Sequence, residues 1–131
     1  MRREFRKILE REDDLEVAGE AKNGREAVWM AQELRPAVVL LDVTMPIING
    51  LEAIRQILKL SPVTTVLMLS AHSDEAYILE AINSGAMGYL IKHTSADTVC
   101  QAIREVHQGN TFFSPSIPRH LYKRNQKKQK D

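Results

Sequence analysis

The sequence is sparing with cysteine, glycine and aromatic residues, and it has no long apolar run. The single cysteine, Cys100, excludes an intrachain disulfide and fits a reducing compartment. It lies among Val99, Ala102 and Ile103 in a helical pattern, the setting of a small core residue. No apolar stretch approaches the length of a membrane span and no signal peptide opens the chain, so no membrane contact is expected and the cytoplasm is the expected location. Only six glycines are present, and no Gly-rich phosphate loop follows a strand pattern. That weighs against a nucleotide-cradling enzyme.

What remains is ordinary globular composition, 44% hydrophobic and 27% charged over 131 residues. This suits one domain with a tail and a core that needs no staples. The formal net charge of +1 hides an asymmetry. Residues 1–110 carry 12 Lys/Arg against 16 Asp/Glu, a balance of −4, while 111–131 carry six against one, a balance of +5. The run from Lys123 to Lys130 has no apolar period and reads as a solvated end or linker. No aromatic or recognition-helix pattern accompanies it, so any DNA contact by this tail is expected to be weak and independent of sequence. Residues 1–109 are assigned to the domain and 110–131 to the linker and basic tail, with 119–131 expected to add nothing to the core.

Strand and helix patterns alternate strictly. A helix is predicted from Arg2 to about Glu12 on an apolar stripe of Phe5, Ile8 and Leu9. Leu15–Ala21 alternates loosely and reads as a strand. Asn23 with Glu26 is a capping-box signal for a helix ending near Leu34, before Pro36. Ala37–Leu41 reads as a strand, Asn49 with Glu52 as a second cap, and the helix that follows ends near Leu60. A strand at 63–69, a helix from Ser73 or Asp74 to Asn83 stopped at Gly85, a strand at 88–91 and a helix from Ser95 to His107 stopped by Gly109 complete the pattern. The expectation is an α/β sandwich of right-handed βαβ units. Trp29 falls opposite Ala27, Met30, Ala31 and Leu34 on its helix and is read as incidental and exposed.

Three apolar runs end in a chemically useful side chain. Ala37–Leu41 ends in Asp42, Val66–Leu69 in Ser70, and Tyr89–Ile91 in Lys92. In an open parallel sheet the carboxyl ends of the strands lie along one edge, where ligands bind. An acid, a hydroxyl and an ammonium are thereby expected in one crevice: a nucleophile with two groups suited to holding an oxyanion. Taken singly, each has a blander reading as a turn or cap residue. The joint pattern carries the argument.

With those residues placed, the chain resembles a receiver domain of bacterial two-component response regulators, of the kind that precedes a LuxR-type helix-turn-helix. The likeness rests on Glu16–Ala21 with Asn23–Gly24, Val38 to Pro46, Asn49–Gly50, Leu69–Ser70–Ala71–His72, and Gly85 to Lys92. It implies a flavodoxin-like three-layer fold of strand order 2-1-3-4-5. It also implies Asp42 as phosphoacceptor, Ser70 as switch hydroxyl, Tyr89 as switch aromatic, Lys92 as charge partner of the phosphoryl group, and the carbonyl of Thr44 as a metal ligand beside Asp42. Mg²⁺ is the cofactor so implied, and a sensor histidine kinase the partner. Homodimerisation is left open, and DNA is reached only through a C-terminal domain not seen in this sequence. The protein so implied is a signalling domain and not an enzyme.

The resemblance breaks at the start. Family members open with a strand ending in two adjacent acids that hold the Mg²⁺, whereas Met1 here already lies inside or just before the first helix. Asp13–Asp14 follow that helix and fall at the opposite edge of the expected sheet. Four parallel strands and five helices are therefore expected, with the strands flanking the gap closing on each other or accepting a strand from elsewhere. A start assigned too late is one origin for the short N-terminus. Two alternatives stand beside the main reading: a phosphorylation-deficient interaction module, and a small flavodoxin-like protein binding an anion.

Overall fold

The computed structural model describes residues 3–42, 50–71, 73–91 and 94–122. In chain order these form α1 (Arg3–Glu10), α2 (Gly24–Leu34), β1 (Val38–Asp42), α3 (Gly50–Leu60), β2 (Thr65–Ser70), α4 (Glu75–Asn83), β3 (Gly88–Ile91), α5 (Ala96–His107) and β4 (Phe112–Phe113). The helices start and stop where their local chemistry dictates. Asn23 caps α2 by accepting from the Glu26 amide at 2.9 Å, while the Glu26 side chain reaches back to the Lys22 amide rather than to that of Asn23. Asp74 and Ser95 cap α4 and α5 in the same way, accepting from the Tyr77 and Thr98 amides. Beyond α4, Gly85 takes a φ of +116° while its amide bonds the Ile82 carbonyl and that of Ala86 bonds Ala81. This paired closure needs the left-handed backbone that glycine adopts without strain. Asn49 and the loop through Pro46 lie outside the described residues.

All three ladders are parallel and the sheet order is β1-β2-β3-β4. Two apolar layers sandwich it. On one face Leu41, Val66, Met68 and Tyr89 pack with α2, α3 and α4; on the other Leu67, Leu69 and Leu90 pack with Val99, Ala102 and Val106 of α5. Strand β2 is the fully covered middle, with Val66, Leu67 and Met68 all at zero exposure, as a strand buried on both faces requires. Cys100 is buried and Trp29 is 60% exposed, as their helical positions predict.

The count of four strands matches the expectation, but one member differs. Leu15–Ala21 forms no ladder with any described strand. Its burial alternates over 15–19 as a strand's would, but a cavity of about 470 Å³ lies between it and β1. A strand is defined by its partners, and apolar alternation alone does not supply one. The flanking segments thus do not close on each other.

The other correction concerns the C-terminal boundary. The domain does not stop at 109, because Phe112–Phe113 adds a fourth strand in register with Gly88–Tyr89. Gly88 permits this approach, since a Cβ there would sit 2.6 Å from the Phe112 carbonyl oxygen. Nor are 119–122 outside the core. Ile117 and Leu121 are buried against the α2–α4 layer, and Tyr122 stacks on Phe113 at a centroid distance of 4.1 Å. Two apolar side chains one helical turn apart are enough to fold the segment back. The basic run from Lys123 lies outside the described residues. Replacing Leu121 by Ala should therefore destabilise the domain by about 2–5 kcal/mol, read as a lower denaturation midpoint. A change below ~0.5 kcal/mol would return the segment to the linker.

Candidate functional site

The carboxyl ends of β1, β2 and β3 meet along one edge. Register places Asp42 beside Leu69 and Ser70 beside Ile91, so the acid and the hydroxyl end adjacent strands. Asp42 is 8% exposed and Ser70 fully buried. Tyr89 lies within the sheet on the α4 side, fully covered, its ring edge-on to Tyr77 at a centroid distance of 6.4 Å. Burial pushes its phenol up to about 12, and a hydrogen bond with the Ser70 side chain partly offsets the rise. Of the residues singled out from sequence, Asp42, Ser70 and Tyr89 are thus brought to one region. Lys92 and Thr44 lie outside the described residues.

Two features of the fold were not foreseen. Ser114 is buried just past β4; its hydroxyl accepts the Ile91 amide at 2.9 Å, and its own amide bonds the Tyr89 carbonyl. It braces the end of β3 immediately before Lys92. The Phe112–Phe113–Ser114–Pro115 stretch was the available signal, an apolar pair and turn residue that read as linker only because the strand is so short. At the other end of the sheet, Arg104 of α5 donates to both oxygens of Asp14 at 2.7 and 2.9 Å and to Glu12 at 2.6 Å. That pairing holds the Asp14 carboxyl below its usual range and raises the guanidinium. Asp14 is therefore committed to α5, away from Asp42.

A parallel sheet wrapped by helices, with an acid and a hydroxyl at adjacent strand ends and a buried tyrosine behind them, is a doubly wound α/β arrangement with its candidate site at the strand ends. The comparisons agree. The response regulator receiver domain model matches residues 1–104, and the chain belongs to that family. It is 36% identical over 118 residues to the transcriptional regulatory protein DegU of Brevibacillus brevis, covering 90% of this chain and 50% of that protein. It is 42% identical over 110 residues to the transcriptional regulatory protein LnrK of Bacillus subtilis, covering 84% and 50%. A two-component response regulator of the LuxR family from Aurantimonas sp. SI85-9A1 superposes with a TM-score of 0.83 at 29% identity, covering 94% of this chain and 88% of that one. The chain spans about half the length of these curated relatives. Its flavodoxin-like fold and its place among two-component receivers are as the resemblance implied.

Receiver domains generally bind Mg²⁺ at an acidic pocket. Among the described residues no three His, Cys, Asp or Glu side chains group closely enough to hold a metal. Asp42 ends its strand without a second strand-end acid beside it, and Asp14 is engaged elsewhere. One carboxylate does not set up the near-octahedral oxygen shell that Mg²⁺ demands. The described residues do not fit the ion. Among them, no helix is long and apolar enough to cross a membrane.

The Tyr89 environment has a pH signature. Its folded pKa of about 12 lies above the ordinary 10.0, so the unfolded chain loses this proton first. Its contribution is complete below pH 10 and declines as pH rises from 10.0 toward about 12. Denaturant titrations across this window should show stability falling, and Tyr89→Phe should flatten the fall, leaving the smaller part from Tyr77, whose phenol is also raised by burial. An unchanged slope in Tyr89→Phe would mean that the phenol is not held in the core.

Proposed function

We propose that Asp42 is the residue through which this receiver accepts a phosphoryl group from the phosphohistidine of a sensor kinase, and that Ser70, Lys92 and Tyr89 respond to it. The observation that carries this reading is the register: Asp42 ends β1 where Ser70 ends the adjacent strand. A carboxylate oxygen attacks phosphorus, the P–N bond breaks, and the imidazole leaves with a proton, giving an acyl phosphate on Asp42. Lys92 supplies a compact positive charge to the phosphoryl oxygens. Ser70, whose hydroxyl is shared with Tyr89, turns to the phosphoryl group and releases the phenol. A charge placed at the strand ends is thereby transmitted to the side chains between β3 and α4. Thr44 would offer its carbonyl to a metal beside Asp42. DNA binding and gene regulation, which the names of the relatives describe for those proteins, would require a further domain, and the cytoplasm is the compartment where such a kinase partner works.

A second reading has one observation in its favour. In that reading the chain is an interaction module that works through its surface without phosphoryl transfer, and the commitment of Asp14 to Arg104 supports it. The two readings separate in a labelling experiment. Incubated with a small-molecule phosphodonor and Mg²⁺, the chain should gain little or no base-labile phosphate. Extending it N-terminally by an apolar strand ending in two acids should raise labelling by at least about tenfold, roughly 1.4 kcal/mol of barrier, and Asp42→Asn should abolish the gain. Labelling that survives Asp42→Asn would remove Asp42 from the reaction. An extended chain that stays unlabelled would favour the interaction module.

A further inference from the structure

We infer that Ser114 is a positioning residue for the phosphoryl chemistry at Asp42: its hydroxyl takes the place of a backbone carbonyl in the sheet and so fixes the end of β3, the strand that carries Tyr89 and leads into Lys92. The inference rests on the reading of Asp42 proposed above. The register of β3 and β4 pairs Gly88 with Phe112 and Tyr89 with Phe113. One step further, a parallel ladder would pair Leu90 with Ser114 through two bonds, from the Ser114 amide to the Tyr89 carbonyl and from the Ile91 amide to the Ser114 carbonyl. The first is present at 3.1 Å. In the second the side chain stands in: the Ser114 hydroxyl accepts the Ile91 amide at 2.9 Å, while the Ser114 carbonyl has turned to the Ile117 amide, also at 2.9 Å. The rung is thus completed by a hydroxyl while the backbone leaves the sheet.

What that rung carries gives the hydroxyl its role. Asp42 pairs with Leu69, and Leu69 with Leu90, so the line through Asp42 runs across the sheet to Ser114. Three strand spacings, about 14 Å, separate the two residues. Ser114 therefore does not touch the reacting atoms and acts through β3. It grips the residues on either side of Leu90, Tyr89 by its carbonyl and Ile91 by its amide. Both meet Ser70: Ile91 is its partner in the ladder, and Tyr89 shares a hydrogen bond with its side chain. Ser114 is 5% exposed, which leaves water little access to replace it at the Ile91 amide. A hydroxyl with only a local task bonds within its own turn, as that of Ser95 does with the Thr98 amide. The hydroxyl of Ser114 crosses 23 positions to another strand.

The test compares Ser114→Ala with Ser114→Thr. Threonine keeps the hydroxyl, and Pro115 biases residue 114 to the extended region that a β-branched side chain favours. The first readout is amide exchange in the full chain, with Leu90 as reference because its amide alternates to the β2 side. The ratio of the Ile91 rate to the Leu90 rate should rise at least about tenfold in Ser114→Ala and stay within about threefold of the parent in Ser114→Thr. A loss of global stability raises both rates and leaves the ratio alone. The second readout is labelling of the N-terminally extended chain by phosphoramidate and Mg²⁺. Ser114→Ala should slow it at least about fivefold and Ser114→Thr less than about twofold. Leu121→Ala, which removes packing from the same segment and keeps the hydroxyl, should label at the parent rate below its melting temperature. An unchanged exchange ratio or an unchanged labelling rate in Ser114→Ala overturns the proposal, as does equal slowing by Ser114→Thr or Leu121→Ala. An extended chain that takes no label with Ser114 in place defeats the reading of Asp42 and this role with it, while the exchange ratio separately reports whether the hydroxyl holds β3.

Discussion

The parallel ladder from β1 through β2 to β3 is the interaction from which the rest of the structure takes its position. Its register aligns the carboxyl ends of three strands, placing Asp42 and Ser70 on neighbouring rungs and Tyr89 one rung below that of Asp42. The same ladder separates the two apolar layers, because alternate side chains of β2 go to α3 and α4 or to α5. Loss of register by one residue would exchange these layers and turn the core-facing side chains outward. Polar tethers guard against this. Thr64 donates from its hydroxyl to the Pro36 carbonyl at 2.7 Å and shares a 2.7 Å bond with Ser61, fixing where β2 begins relative to β1.

Among the described residues the ladder is asymmetric. On the β3 side it continues into β4, and the segment that follows closes over it through Ser114, Ile117 and Leu121. The buried tyrosine and its partner Ser70 sit under that closed side, next to α4, with the Tyr77 ring edge-on to that of Tyr89. On the β1 side no described strand continues it.

Much of this was readable in the residues, for reasons that are local. Caps at Asn23, Asp74 and Ser95 and stops at Gly85 and Gly109 act within one helical turn, so their sequence signals survive into the fold unchanged. The strand ends were legible because an apolar run broken by Asp42 or Ser70 states both its burial and its edge. Leu15–Ala21 was misread because alternation reports burial and carries no information on pairing, which depends on a neighbour remote in sequence. Phe112–Phe113 was missed for the opposite reason. Two residues are too few to show a period, and their strand exists through the space that Gly88 leaves above the adjacent rung. Arg104 with Asp14 likewise joins residues 90 positions apart, beyond any local pattern.

The ladder's phase is the claim on which the site stands, and scalar couplings across hydrogen bonds measure it bond by bond. The account predicts a coupling between the Thr65 amide nitrogen and the Ala37 carbonyl carbon, with none from any described residue to the amides or carbonyls of Val38 and Leu40. A coupling between the backbone of Leu15–Ala21 and Val38 or Leu40 would contradict it, because the sheet would then be closed and Asp42 would lie on an interior strand.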